Sequence, residues 1–195
     1  MTKARLEAFS DGVIAILITI MVLDFKTPRD VTVRALADLA PLFAVYILSF
    51  VYLGIYWVNH HHLFHAATRI SGGVLWANLH LLFWLSLVPF VTGWMAENST
   101  AALPTAVYST VLLCDALAWT VMKNALVRLE GVHSRLGRAV GRDIKGRISL
   151  ALYVSAIALA FVRPWIGQAL VAVVALMWLV PDRRIEAALA EPALR

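Results

Sequence analysis

Six apolar segments, separated by short polar stretches, set the pattern of this chain. They run from about Leu6 to Leu23, Val33 to His61, Gly73 to Met95, Ala101 to Met122, Ile148 to Val162 and Ile166 to Val180. A spanning helix needs about 20 mostly apolar residues, so the first four segments predict membrane spans. The last two flank a tight turn at Arg163-Pro164-Trp165 and are short. They reach spanning length only if Arg147 snorkels and the flanking residues join the helices; a re-entrant hairpin is the alternative. With these flanks the predicted helices cover about 4–25, 33–65, 70–95, 101–128, 143–162 and 164–182. The pattern predicts an all-α membrane protein with six transmembrane helices in a single domain, residues 1–195.

Composition supports that class. The chain is 61% hydrophobic and 15% charged, with a mean hydropathy of +0.78, whereas soluble domains carry about 25% charged residues. The single Cys114 has no intrachain partner for a disulfide and lies in an apolar segment, where it reads as a packing residue. Arg5, Glu7 and Asp11 break up what would be the basic leader of a signal peptide, so the first segment is expected to remain in the mature protein. A net charge of +5 and a pI near 9.7 bring nucleic acid to mind, but the basic residues gather beside apolar segments. The positive-inside rule accounts for them without a nucleic-acid partner. With both termini cytoplasmic, only Lys26, Arg29, Arg34 and Arg163 fall outside, and the other 13 of the 17 Lys and Arg residues fall inside. The polar stretch Glu130 to Lys145 carries Arg135, Arg138 and Arg142, and anionic lipid headgroups are its expected partners.

Polar residues inside the apolar segments carry the functional signal. The uncharged run from Gly12 to Leu23 holds only twelve residues. Counting back from Lys26 therefore places Ser10 and Asp11 within the membrane zone. A carboxylate there costs about 2.5–3.5 kcal/mol on insertion scales, and such groups pair inside a bundle or line a wet path. Ile16, Thr19, Ile20 and Leu23 follow i, i+3, i+4, i+7 spacing and share one helix face, which Arg5, Phe9 and Gly12 continue. On spacing alone such a stripe is an ordinary lipid-facing or packing surface.

The polar edge of the second segment reads Trp57-Val58-Asn59-His60-His61-His62-Leu63-Phe64-His65. His61 and His65 have the i, i+4 spacing of a metal clasp, but two ligands with no carboxylate or Cys close by in sequence do not make a site, and no metal is expected. His60 or His61 is instead expected to neutralise Asp11. The third segment carries Asn78 near its cytoplasmic end, at the same depth, and holds Pro89, which predicts a kink with Ser86 or neighbouring helices satisfying the freed carbonyl. Three polar sets from three helices thus meet at one level. Asp115, a second intramembrane acid, either joins this network or pairs elsewhere in the bundle.

Arg5-x-x-x-Phe9-Ser10-Asp11 at the start of a first membrane helix resembles the signature of the transmembrane protein 175 family of potassium channels. Trp57-x-x-His60-His61-x-Leu63-Phe64 resembles the family's second helix, and Asn78 with Pro89-Phe90-x-Thr92 its third. The likeness covers the first half of the chain; the rest matches in helix number, length and topology. It implies a cell-membrane homotetramer whose pore is lined by the first helix of each subunit. Ile16 would form the narrowest ring, with Thr19 and Leu23 further along and Ile20 beside them. Arg5, Phe9, Ser10 and Asp11 would brace that helix through His60 or His61 and Asn78. The implied function is a potassium-permeable, modestly selective leak channel with no cofactor beyond the permeant ion. No TVGYG-like loop is present for a carbonyl filter. A small secondary transporter and a proton-permeable pore are the alternatives. An enzyme is not expected; one using the histidines would need a catalytic carboxylate or nucleophile facing them, for which Asp11 and Asp115 are the intramembrane candidates.

Overall fold

The computed structural model describes residues 2–141 and 143–179. Arg142, Arg183, Arg184 and Arg195 of the topology count, and the end of the sixth predicted helix, lie outside them. Among the described residues every regular element is helical. Helix α1 (Lys3–Ile20) runs into a 3₁₀ turn, Met21–Asp24, followed by α2 (Val33–Ala37), α3 (Ala40–Ala66), α4 (Gly72–Leu85) and α5 (Val88–Glu97). Then come α6 (Ala102–Glu130), α7 (Arg135–Val140), α8 (Ile144–Ala160) and α9 (Pro164–Leu179). Among the described residues four helical stretches are long and apolar enough to cross a membrane: Lys3–Leu23, Val33–Ala66, Gly72–Glu97 and Ala102–Glu130. At 17 and 16 residues, α8 and α9 are shorter.

Local chemistry sets the boundaries. Thr32 Oγ1, Ser71 Oγ, Ser134 Oγ and Asp143 Oδ1 accept backbone N–H bonds at the starts of α2, α4, α7 and α8, which satisfies donors that a helix start leaves unpaired. Gly131 ends α6 at φ +97°, a conformation that residues with a Cβ avoid. Pro89 divides the third apolar segment. It lacks the N–H that would bond Leu85 O, so the chain turns through Ser86 and Leu87 and restarts as α5. Ser86 Oγ donates to Phe83 O at 2.6 Å, stitching the break. The second segment is also divided, at Asp38–Leu39, and α7 occupies a stretch with no apolar period to announce it.

Helix α6 is the hub, packing against α4, α5, α8 and α9, while α1 sits at one edge against α3, α4 and α5. Buried polar side chains bind the helices to one another. Tyr108 Oη lies 2.9 Å from Ser49 Oγ, which lies 2.7 Å from Thr92 Oγ1, joining α6, α3 and α5. Tyr52 Oη donates to Val171 O at 2.6 Å, and Trp178 Nε1 to Ser149 Oγ at 2.8 Å. At one end of the bundle the Glu130 carboxylate accepts from Thr68 N and Arg69 N at 2.7 and 2.8 Å. Lys123 pairs with Asp143 beside it.

Where α9 crosses α8 and α6, Gly167 leaves no room for a side chain. A Cβ there would lie 2.8 Å from Ala156 O and 3.0 Å from Thr105 Cγ2. Helix propensity alone says that Gly167→Ala stabilises by about 1 kcal/mol. Overpacking of this kind costs about 1–3 kcal/mol and acts against backbone here, so packing wins. Gly167→Ala is expected to lower the thermal midpoint of the purified protein; a raised midpoint would show that the crossing is loose.

Candidate ion pore

Helix α1 has two faces of opposite fate. Leu6, Ser10, Ile14, Leu17 and, just beyond its end, Met21 are buried against the bundle. The other face looks away from it: Phe9 is 50% exposed, Ile16 60%, Ile20 39% and Leu23 78%. Arg5, Gly12 and Thr19 lie exposed on the same stripe, and a Cβ built on Gly12 would meet nothing within 4 Å. The stripe read from spacing is therefore a continuous outward surface of a helix whose other side is locked into the core. Thr19 Oγ1 lies 2.9 Å from Ile16 O and 3.1 Å from Ala15 O, so its proton is spent on the helix and its lone pairs remain for an incoming donor or cation.

A chain of three bonds, two of them between helices, holds that orientation. Ser10 Oγ donates to Leu6 O at 3.0 Å, leaving its oxygen to accept from Asn78 Nδ2 at 2.9 Å. The Asn78 amide is thereby oriented, and its Oδ1 faces His60 Nε2 at 2.9 Å. His60 Nε2 must then carry a proton and donate. The chain of donors His60→Asn78→Ser10→Leu6 runs through α3, α4 and α1, and all three side chains are buried. His60 also stacks on Phe64 with ring centroids 4.5 Å apart, and its Nδ1 has no partner among the described residues.

Asp11 takes a different partner from the one expected. Trp57 Nε1 donates to Asp11 Oδ1 at 3.0 Å, whereas His60 is committed to Asn78 and His61 is exposed. Trp57 sits one turn nearer to Asp11 on α3, and its long indole covers the remaining gap. Sequence reasoning missed this donor because tryptophan counts as apolar in a hydropathy reading; its N–H is the signal that identifies it. Arg5 and Phe9 lie on the exposed stripe and take no part in these bonds. Asp115 stays apart from this network: it is fully buried in α6, and neither carboxylate oxygen has a hydrogen-bond partner among the described residues.

The family model described as endosomal/lysosomal potassium channel TMEM175 matches residues 5–89, which hold the stripe, Trp57, His60 and Asn78. A potassium channel of Chryseobacterium is 49% identical over 191 residues, covering 98% of this chain and 100% of that protein. The chain belongs to the TMEM175 family. A potassium channel of Streptomyces collinus is 34% identical over 171 residues, covering 82% of this chain and 83% of that one. The crystal structure of a lysosomal potassium-selective channel TMEM175 homolog from Chamaesiphon minutus superposes with a TM-score of 0.78 at 30% identity. That match covers 93% of this chain and 97% of the homolog. With its several long apolar helices, this TMEM175 family member is a multi-pass integral membrane protein.

The donor chain makes a graded expectation. Asn78→Leu orphans both the Ser10 and the His60 group, each costing about 1–3 kcal/mol when buried without a partner. Ser10→Ala orphans only one amide N–H. Asn78→Leu should therefore lower the thermal midpoint in detergent more than Ser10→Ala does. Equal shifts would mean that the two bonds are not linked through one amide.

Proposed function

We propose that four copies of this chain assemble around the exposed face of α1 into a potassium-permeable, modestly selective leak channel of the cell membrane. The observation that carries this reading is the pairing of an outward apolar stripe on α1 with a buried donor chain that fixes the stripe's direction. One subunit's helix cannot enclose a pore, so oligomerisation follows from the mechanism. Each subunit crosses the membrane six times with both termini cytoplasmic, α8 and α9 serving as the two short spans. The polar stretch Glu130 to Lys145 supplies basic groups for anionic lipid headgroups. The Chryseobacterium and Streptomyces relatives, both named potassium channels, and the Chamaesiphon homolog, described as potassium-selective, support potassium as the permeant ion.

In this arrangement Ile16 forms the constriction, with Thr19, Ile20 and Leu23 along the pore beyond it. Gly12, between Phe9 and Ile16, widens the path before the ring. An apolar ring offers no ligands, so an ion passes only by distorting its water shell. Potassium holds that shell less tightly than sodium and is favoured. The Thr19 oxygen, with its lone pairs outward, replaces part of the lost hydration one turn further on. Such a ring also closes by dewetting, without a moving gate.

Two measurements test the reading. In a planar bilayer with potassium on one side and sodium on the other, the current is expected to reverse toward the potassium equilibrium potential. Reversal at zero would leave a non-selective pore, and reversal that tracks a proton gradient would replace potassium with protons. Ile16→Asn should raise conductance several-fold or shift the reversal potential. Unchanged currents would remove Ile16 from the constriction.

A further inference from the structure

The proposed pore leaves the histidines at the end of α3 without a role. His61 and His65 are both exposed, and their rings are stacked with centroids 6.0 Å apart and planes within 22°. A zinc ion binds an imidazole nitrogen at about 2.0–2.1 Å, so each ring centre lies about 3 Å from the metal. Nearly parallel rings do not aim their nitrogens at one point, but the i, i+4 positions share a helix face, so a change of rotamer turns a nitrogen of each toward one ion. His62 is about 100° round the helix from His61 and does not share that face.

The facing helix supplies a carboxylate at the same level. Helices α1 and α3 run antiparallel and are tied at two heights, by Trp57 to Asp11 at 3.0 Å and by Lys3 Nζ to Ala67 O at 2.9 Å. Glu7 lies midway between Lys3 and Asp11, one turn from each. His61 lies one turn beyond Trp57 in the same direction. The two ties thus bring Glu7 level with His61, and both residues act electrostatically on His60. Sequence distance hid this acid, since Glu7 is more than fifty positions from the histidines.

We propose that His61 and His65, with Glu7 of the facing helix, form a binding site for a divalent transition-metal ion of the zinc class at the N-terminal end of α1. Two imidazoles and one carboxylate are a donor set that zinc accepts, with water in the fourth position. Paired histidines at i, i+4 on one helical face are a known way to present two of those ligands. Among the described residues no three His, Cys, Asp or Glu side chains yet converge on a single ion position. The two histidines share one helix face, and changes of rotamer in them and in Glu7 bring the three ligands together. The bound ion would link α1 to α3 between two ties that already exist. The site is independent of whether the protein conducts.

The test is calorimetric titration of Zn²⁺ into the purified full chain, freed of metal with chelator, in detergent micelles. One ion per subunit is expected. His61→Ala and His65→Ala should each abolish the binding, His62→Ala should leave it unchanged, and Glu7→Gln, which removes a ligand, should weaken it by more than about tenfold, the lower end of what even outer-shell groups cost. Should His61→Ala fail to fold, judged by circular dichroism and elution volume, His61→Phe keeps a ring without a ligand nitrogen. No saturable binding by the wild type overturns the site. So does binding that survives the loss of both His61 and His65, or binding that His62→Ala removes. Unchanged affinity in Glu7→Gln overturns the link between the helices.

Discussion

A helix that is apolar nearly all round has little preference for its own rotation, because lipid and protein interior are equally apolar to it. The part of α1 beyond Asp11 is such a helix. Its rotation is set instead by Ser10, whose hydroxyl meets the Asn78 amide, which in turn meets His60. A slip of one residue along α1 would turn the helix by about 100° and carry Ser10 away from Asn78. Ile14 and Leu17 would leave the core together. The donor chain is therefore what converts a featureless apolar rod into one with an outward side and a core side. Asp11 with Trp57 and Lys3 with Ala67 O hold the same rotation at neighbouring heights.

The break at Pro89 serves the same arrangement from the other side. Asn78 belongs to α4 and Thr92 to α5, so a single straight helix would have to satisfy two polar clusters at once. The turn at Ser86–Leu87 lets α4 present Asn78 to α1 while α5 presents Thr92 to Ser49 on α3. The two clusters differ in company. One contacts the helix with the outward stripe; the other ties α3, α5 and α6 into the core. Asp115 stands in neither, an acid buried in α6 with Tyr56, Tyr108 and Tyr153 in electrostatic range.

Spacing alone put Ile16, Thr19, Ile20 and Leu23 on one face, because helical geometry follows from residue number. It did not say which way that face points; the buried Ser10 on the opposite side does. The meeting of residues 10, 60 and 78 at one depth was legible because each polar group is expensive alone in an apolar segment. Their pairing was not legible, since pairing depends on helix rotation and on side-chain reach. That is why Trp57 rather than a histidine holds Asp11. The helix breaks divide the same way. Pro89 announces itself through its missing N–H, whereas the interruption at Asp38–Leu39 and the short α7 carry no comparable mark. Glu7 was overlooked as a neighbour of His61 because antiparallel packing, not sequence, brings them level.

The residues of the outward stripe touch almost nothing inside their own subunit, as the empty space around Gly12 and the exposure of Ile16 and Leu23 make plain. Their size and polarity are therefore nearly uncoupled from the folding free energy of the bundle. Ancestral or engineered chains could exchange Ile16 for a larger, smaller or more polar side chain and keep the same scaffold. In the proposed channel, permeation would be free to drift while the fold stands still, each change being copied once per subunit.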